Sequence, residues 1–187
     1  MTPAVFLDRD GVINADSPDY IKSLDEFHWI PGSLDAIVRI SRVGWNVIIV
    51  TNQSGLHRRL FSRQTLDEIH EHLIRNVVSA GGRITDIHYC PHRPEEACPC
   101  RKPNPKMVLD ACRRHGIAPS KACMIGDSVK DIQCAVNAGV GFPILVRTGN
   151  GKAAETVLLR EGPVPHCIHD DLAAAVSGIM EKDYLFC

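Results

Sequence analysis

Apolar positions along this chain fall into two patterns that take turns. Six short runs are almost continuously apolar or β-branched: "AVFLD" (4–8), "WNVIIVT" (45–51), "ITDIHYC" (84–90), "ACMIGD" (122–127), "PILVRT" (143–148) and "HCIH" (166–169). Runs without polar alternation predict strands covered on both faces, as in a parallel sheet. Between them the spacing predicts helices over 33–43, 63–80, 105–115, 129–138, 152–161 and 170–182. The clearest is 63–80, where Leu66, Ile69, Leu73, Val77 and Ala80 recur at helical spacing. Thr65 and Glu68 offer a capping box near its start. Strands alternating with helices predict an α/β fold, a doubly wound, Rossmann-like, mostly parallel sheet with helices on both faces. No repeat, low-complexity segment or linker interrupts it, so one domain over 1–187 is expected, with the loop 90–100 inserted after the third strand.

In sheets of this kind ligands bind beyond the carboxyl ends of the strands. Polar clusters stand at three of those ends: "DRDG", "TNQSG" and "GDS". Asp8 and Asp10 could converge there as metal ligand, nucleophile or general acid, with Gly11 permitting a sharp departure from the strand. Taken alone, two such acids read equally as an Asp-rich turn. Thr51 offers a hydroxyl and the following N–H groups to phosphate oxygens. Arg101 and Lys102 can hold an anion, Asp127 ends another strand, and Asp131 lies one turn into the next helix. Each has a plain alternative, a strand-end hydroxyl, a solvated lysine or a helix cap, but together, in this order, they are not accounted for by those plain readings.

Composition narrows the partners. The net charge of −1 leaves no basic excess for nucleic acid. No apolar run approaches the ~18 residues of a membrane span, and "MTPAVFLDRDG" lacks the basic and apolar regions of a signal peptide. A cytoplasmic monomer acting on a small molecule is expected. In a reducing compartment disulfides are not expected, and Cys112, Cys123, Cys134 and Cys167 read as buried small side chains. The stretch "CPHRPEEACPCRKPNP" differs. Cys90, His92, Cys98 and Cys100 form two pairs, each split by one residue. Three thiolates and an imidazole suit a closed tetrahedral Zn²⁺ site. A redox pair is the alternative, but the usual two-residue gap between cysteines is missing.

"DRDG", the strand-end Thr51, Lys102-Pro103 and "GDSVKD", in this order, resemble the four motifs of the haloacid dehalogenase-like (HAD) phosphohydrolases. The resemblance implies that Asp8 attacks phosphorus and that Asp10 protonates the leaving alkoxide, then activates water. It implies Mg²⁺ held by Asp8, the backbone carbonyl of Asp10, and Asp127. Thr51 and Lys102 would steady the phosphoryl oxygens, with Asp131 as a partner to Lys102 or to the metal site. The short segments around 14–22, 53–61 and 90–102 leave no room for a large cap, so specificity is expected from these loops. "FLDRDGVIN", "VTNQSG", "YCPH", "CPCRKPNP" and "LVRTG" are similar to the branch acting on heptose bisphosphates, intermediates of lipopolysaccharide synthesis. That branch implies a substrate pocket formed by Asp16, Asp19, Tyr20, Asn52, Gln53, Ser54, Arg101 and Ser128, and a structural Zn²⁺ in the cysteine loop. Ser128 departs from the Lys or Arg expected there. Histidinol-phosphate phosphatases share the four motifs and are the alternative; a zinc-ribbon-like binding module without catalysis is the remote one. Arg58 and Arg59 read as solvated, with contact to a substrate's second phosphate as the alternative, "TGNGK" as a flexible loop, and the tail "EKDYLFC" as a segment that packs back or meets another subunit.

Overall fold

The structure, a computed structural model, describes residues 3–181, so most of the "EKDYLFC" tail lies outside the described residues. Six strands, β1 (Ala4–Leu7), β2 (Asn46–Asn52), β3 (Asp86–Cys90), β4 (Ala122–Gly126), β5 (Phe142–Val146) and β6 (Cys167–His169), form one sheet in the order β3-β2-β1-β4-β5-β6. Every pairing is parallel. The helices are α1 (Ser33–Arg42), α2 (Arg63–Ser79), α3 (Lys106–His115), α4 (Val129–Asn137), α5 (Gly151–Glu161) and α6 (Leu172–Met180). All twelve expected elements form. No helix among the described residues is long and apolar enough to cross a membrane.

The period of two along each strand explains how both faces become buried. Val5, Leu7, Val47, Ile49, Cys123 and Ile125 point to one side, against α1, α2 and α6. Ala4, Phe6, Ile48, Val50, Ala122 and Met124 point to the other, against α3 and α4. A third cluster joins Ile132 of α4, Leu145 of β5, and Ala154 and Leu158 of α5.

One detail of the sequence reading changes. Helix α2 is capped by Ser62, whose hydroxyl accepts from Thr65 N–H at 3.0 Å. Thr65 therefore lies inside the first turn, and Glu68 accepts from Gln64 instead of closing a capping box. Cys112, Cys123 and Cys134 are buried as expected, whereas Cys167 is disulfide-bonded, where a reduced thiol was expected.

The strand order reverses at β1, which has β2 on one side and β4 on the other. Leu7 is level with Ile49 and Ile125, so the residues that follow these three positions emerge at one height. Asp8 and Asp127 directly follow β1 and β4, and Thr51 lies in β2, one residue before its end.

Candidate active site

Lys102 is the centre of the charge arrangement at these strand ends. Its side chain is 2 % exposed, and its ammonium lies 3.0 Å from Asp8 Oδ1 and 2.6 Å from Asp131 Oδ1, while also donating to Val50 O at 2.8 Å. Burial acts to depress the lysine pKa, but the Asp131 and Asp8 charges outweigh it and hold the group above its ordinary value. Asp131 serves a second purpose: its Oδ2 accepts the backbone N–H and the hydroxyl of Ser128, fixing the first turn of α4. Asn52 joins the two loops, since its amide donates to Lys102 O and accepts from Lys102 N–H.

Asp8, Asp127 and Asp131 bring one carboxylate oxygen each within 4.8 Å of one another. One ammonium cannot balance three carboxylates. Burial first, then the neighbouring acids, raises the Asp8 pKa well above its ordinary value despite Lys102. Asp127 is pushed to about 7, chiefly by burial and by Asp131. Such unmet negative charge fits a divalent cation, and hard carboxylate oxygens suit Mg²⁺.

Asp10 is the opposite case. Burial works to raise its pKa, but the Arg9 charge and hydrogen bonds from Asn14, Gln53 and Arg9 prevail and lower it. Arg9 donates from Nε and Nη2 at 2.9–3.0 Å, Asn14 Nδ2 at 2.9 Å and Gln53 Nε2 at 2.8 Å. Arg9 is fully buried, with Nη1 3.4 Å from His70 Nε2. Burial and the Arg9 charge drop the His70 pKa to about 3, so the ring is neutral and can accept from the guanidinium. The sequence reading missed this arginine. Its signal was a cation set between two acids at the end of an apolar strand, where no solvated lysine or arginine belongs.

Asp127 is seated between two glycines. A Cβ on Gly11 (φ +83°) or on Gly149 (φ +54°) would lie 2.1 Å from its Oδ2. Both positive φ values also disfavour any L side chain. The same oxygen accepts the N–H of Asn150 at 2.8 Å, and Asn150 Nδ2 reaches Asp16 at 2.9 Å. "TGNGK", expected to be only a flexible loop, therefore joins the metal-facing acid to the 14–22 loop.

These groups line a cavity of about 590 Å³. Asp16, Tyr20, Asn52, Gln53, Ser54, Arg101 and Ser128 all border it. Asp19 does not: the turn in which Tyr20 N–H donates to Ser17 O, with Tyr20 at φ +66°, leaves Asp19 exposed outside the lining. Gln53 faces Asp10 and donates to Thr51 Oγ1 at 2.9 Å, so its amide positions protein groups. The far wall, Ala153, Ala154 and Val157 of α5, was not anticipated. Arg58 and Arg59 border no part of this cavity; Arg58 faces Glu95 at 4.0 Å.

Directly before Arg101, Cys90 Sγ, His92 Nδ1, Cys98 Sγ and Cys100 Sγ converge. Neighbouring pairs stand 2.9–3.5 Å apart, and none of the three cysteines is in a disulfide. All four ligand atoms lie within 4.8 Å of one another, a donor set able to hold a metal ion. The loop they gather is fastened to the active site: Cys90 O accepts from Gln53 N–H at 2.7 Å, and His92 O accepts from Arg101 Nη1 at 2.9 Å.

Comparison with known proteins agrees with this geometry. Residues 99–175 match the HAD-hydrolase-like family. The chain is 42% identical over 180 residues, 95% of its length and 98% of the relative's, to the D-glycero-beta-D-manno-heptose-1,7-bisphosphate 7-phosphatase of Bordetella bronchiseptica. It is 43% identical to the enzyme of that name from Pseudomonas aeruginosa, covering 95% and 97% of the two chains. The crystal structure of the B. bronchiseptica D,D-heptose 1,7-bisphosphate phosphatase complexed with magnesium and phosphate superimposes with a TM-score of 0.92 at 41% identity, over 97% of this chain and 99% of that one. With the strand order, the carboxylate cluster and this end-to-end similarity in agreement, the chain belongs to the D-glycero-beta-D-manno-heptose-1,7-bisphosphate 7-phosphatase family of HAD-like hydrolases.

Proposed function

We propose that this protein is a magnesium-dependent phosphatase that removes the 7-phosphate of D-glycero-β-D-manno-heptose 1,7-bisphosphate through an aspartyl-phosphate, in the supply of activated heptose for surface glycans. The carrying observation is the 42% identity over 95% of the chain to a relative of that name. None of the relatives above supports the histidinol-phosphate alternative, and the buried carboxylate set gives no support to a binding module without catalysis.

In this reading an Asp8 carboxylate oxygen forms a bond to phosphorus as the bond from phosphorus to the C7 oxygen breaks. Asp10 gives its proton to that oxygen, then takes one from the water that attacks the aspartyl-phosphate and releases phosphate. Asp10 rests as a carboxylate, because Arg9, Asn14 and Gln53 all donate to it. The arriving phosphoryl anion raises its proton affinity, so that Asp10 takes up a proton from solvent as substrate binds and can then serve as the acid. Thr51 and Lys102 face the transferring oxygens, and Lys102 keeps its charge throughout. Asp8 and Asp127, with the Asp10 carbonyl, would hold Mg²⁺, which offsets the repulsion between nucleophile and phosphate when bound. Arg101 meets the body of the sugar phosphate. The test is kcat/KM measured side by side for both heptose 1,7-bisphosphate anomers and histidinol phosphate. The β-heptose substrate is expected to lead, and faster turnover of histidinol phosphate would overturn the reading.

Cys90, His92, Cys98 and Cys100 would bind Zn²⁺ as a clasp, not as a catalyst. The loop around them carries little apolar surface of its own, yet it supports Gln53 and Arg101. Purified protein is expected to contain about one zinc per chain, the complement of a single closed four-ligand site. Cys98→Ser should lose that zinc, melt at a lower temperature and show a raised KM, with a smaller change in kcat. Full zinc content and an unchanged KM in Cys98→Ser would refute the clasp.

A further inference from the structure

Three basic side chains line the cavity: Arg101, Lys102 and Lys130. Lys102 is buried between Asp8 and Asp131 at the reaction centre. Arg101 has one guanidinium nitrogen tied to His92 O. Lys130 is exposed and makes no hydrogen bond or ion pair among the described residues. It is a cation with nothing from the protein to neutralise it, on the wall of a cavity rich in carboxylates. The neighbouring Ser128 cannot supply an equivalent contact, because its single proton goes to Asp131 at 2.6 Å.

Position supports the same assignment. Asp131 and Lys130 are consecutive in the first turn of α4, and consecutive side chains diverge by about 100°. Asp131 is fully buried and faces Lys102, so Lys130 is turned away from the reaction centre while still bordering the cavity. Val129 and the small side chains Ala153 and Ala154 line the same cavity of about 590 Å³, which has room for a sugar ring. The amino end of α4 adds favourable potential for an anion.

We propose that Lys130 binds the phosphate that is not hydrolysed, the dianion at the far end of the sugar, and so sets the preference for a bisphosphate over a monophosphate. This rests on the function proposed above. Lys130 is a specificity-determining residue outside the chemistry: it neutralises a charge present in the ground state and the transition state alike, so its removal acts on KM.

The test compares heptose 1,7-bisphosphate with heptose 7-phosphate for the parent protein, Lys130→Gln and Lys130→Arg, at low and high ionic strength. Lys130→Gln should lose about tenfold in kcat/KM on the bisphosphate, the size of one charged contact, and the loss should lie in KM. The monophosphate should be unaffected, Lys130→Arg should keep most of the preference, and salt should shrink the difference. Equal losses on both substrates, or no loss on the bisphosphate, overturn the assignment of Lys130 alone. A parent protein that turns over neither heptose substrate overturns the functional reading, and this inference falls with it.

Discussion

Asp8→Asn is expected to lower kcat by about 10⁴-fold or more, as removal of a covalent nucleophile does, without lowering the melting temperature measured in chelator. The two outcomes share one cause. Asp8 is held, largely buried, beside Asp127 and Asp131, and burial raises its pKa well above that of a free carboxylate. A carboxyl whose folded pKa is raised binds its proton more tightly in the folded state. Its contribution to stability is complete below the unfolded value near 3.9 and is lost as pH rises through the folded value. At neutral pH the ionised group therefore works against folding, and an amide of the same shape removes that penalty. Lys102 keeps Asp131 as partner at 2.6 Å. Asp127, pushed to about 7, adds the same sign, so stability without divalent cation should decline between about pH 4 and pH 7. Magnesium should restore the parent protein at pH 7 far more than Asp8→Asn. Thermal melts at pH 5 and pH 8, with chelator or magnesium, check the stability half. A variant that melts several degrees below the parent in chelator, or keeps a tenth of its turnover, contradicts this account.

Lys102→Met is the second large expectation, and here activity and stability fall together. The ammonium is the cation paired with both Asp8 and Asp131, and Asp131 is 1 % exposed. Removing one partner of a buried ionic group costs about 3–5 kcal/mol, because the other charges stay buried without compensation. At about 2–4 °C per kcal/mol for a chain of this size, the melting temperature should fall by roughly 10 °C. Turnover should drop by about 10²–10³-fold as a cation facing the transferring phosphoryl group is lost. A second variant separates the two effects. Lys102→Met combined with Asp131→Asn removes one of the stranded charges and should recover part of the melting temperature, while turnover stays low. If turnover returned together with stability, Lys102 would be a structural residue only.

The strands and helices were legible because each is carried by a local apolar pattern, and the buried runs at 45–51 and 122–127 have no other reading. Asp8, Thr51 and Asp127 were legible because a doubly wound sheet brings its carboxyl ends together, and Lys102, in the loop after β3, because the order of the motifs resembles that of the HAD phosphohydrolases. What escaped depends on closure between distant segments. Asn150 meets Asp16 across 134 positions and Asp127 across 23, and nothing in "TGNGK" marks it as a bridge. His70 lies on α2, and nothing in its local sequence marks it as the partner of Arg9, 61 positions away. Asp19 was misplaced because a left-handed Tyr20 turns the chain after Ser17, and tyrosine gives no hint of that conformation. The α2 cap moved from Thr65 to Ser62 for a simpler reason: several hydroxyl residues compete near that helix start, and backbone direction decides which is used.

The seat of Asp127 between Gly11 and Gly149 has a consequence for how this sequence can drift. Residues 11, 127 and 149 are far apart along the chain, yet any methyl group added at either glycine arrives on the same carboxylate oxygen. Changing Gly11 or Gly149 is thus chemically a change of Asp127. The three positions form a single mutational target, larger than the one residue that faces the ion, and a random substitution has three ways to strike it. Repair by a second substitution is closed off as well: no acid shorter than aspartate exists, and a longer one would need more of the space the glycines leave open.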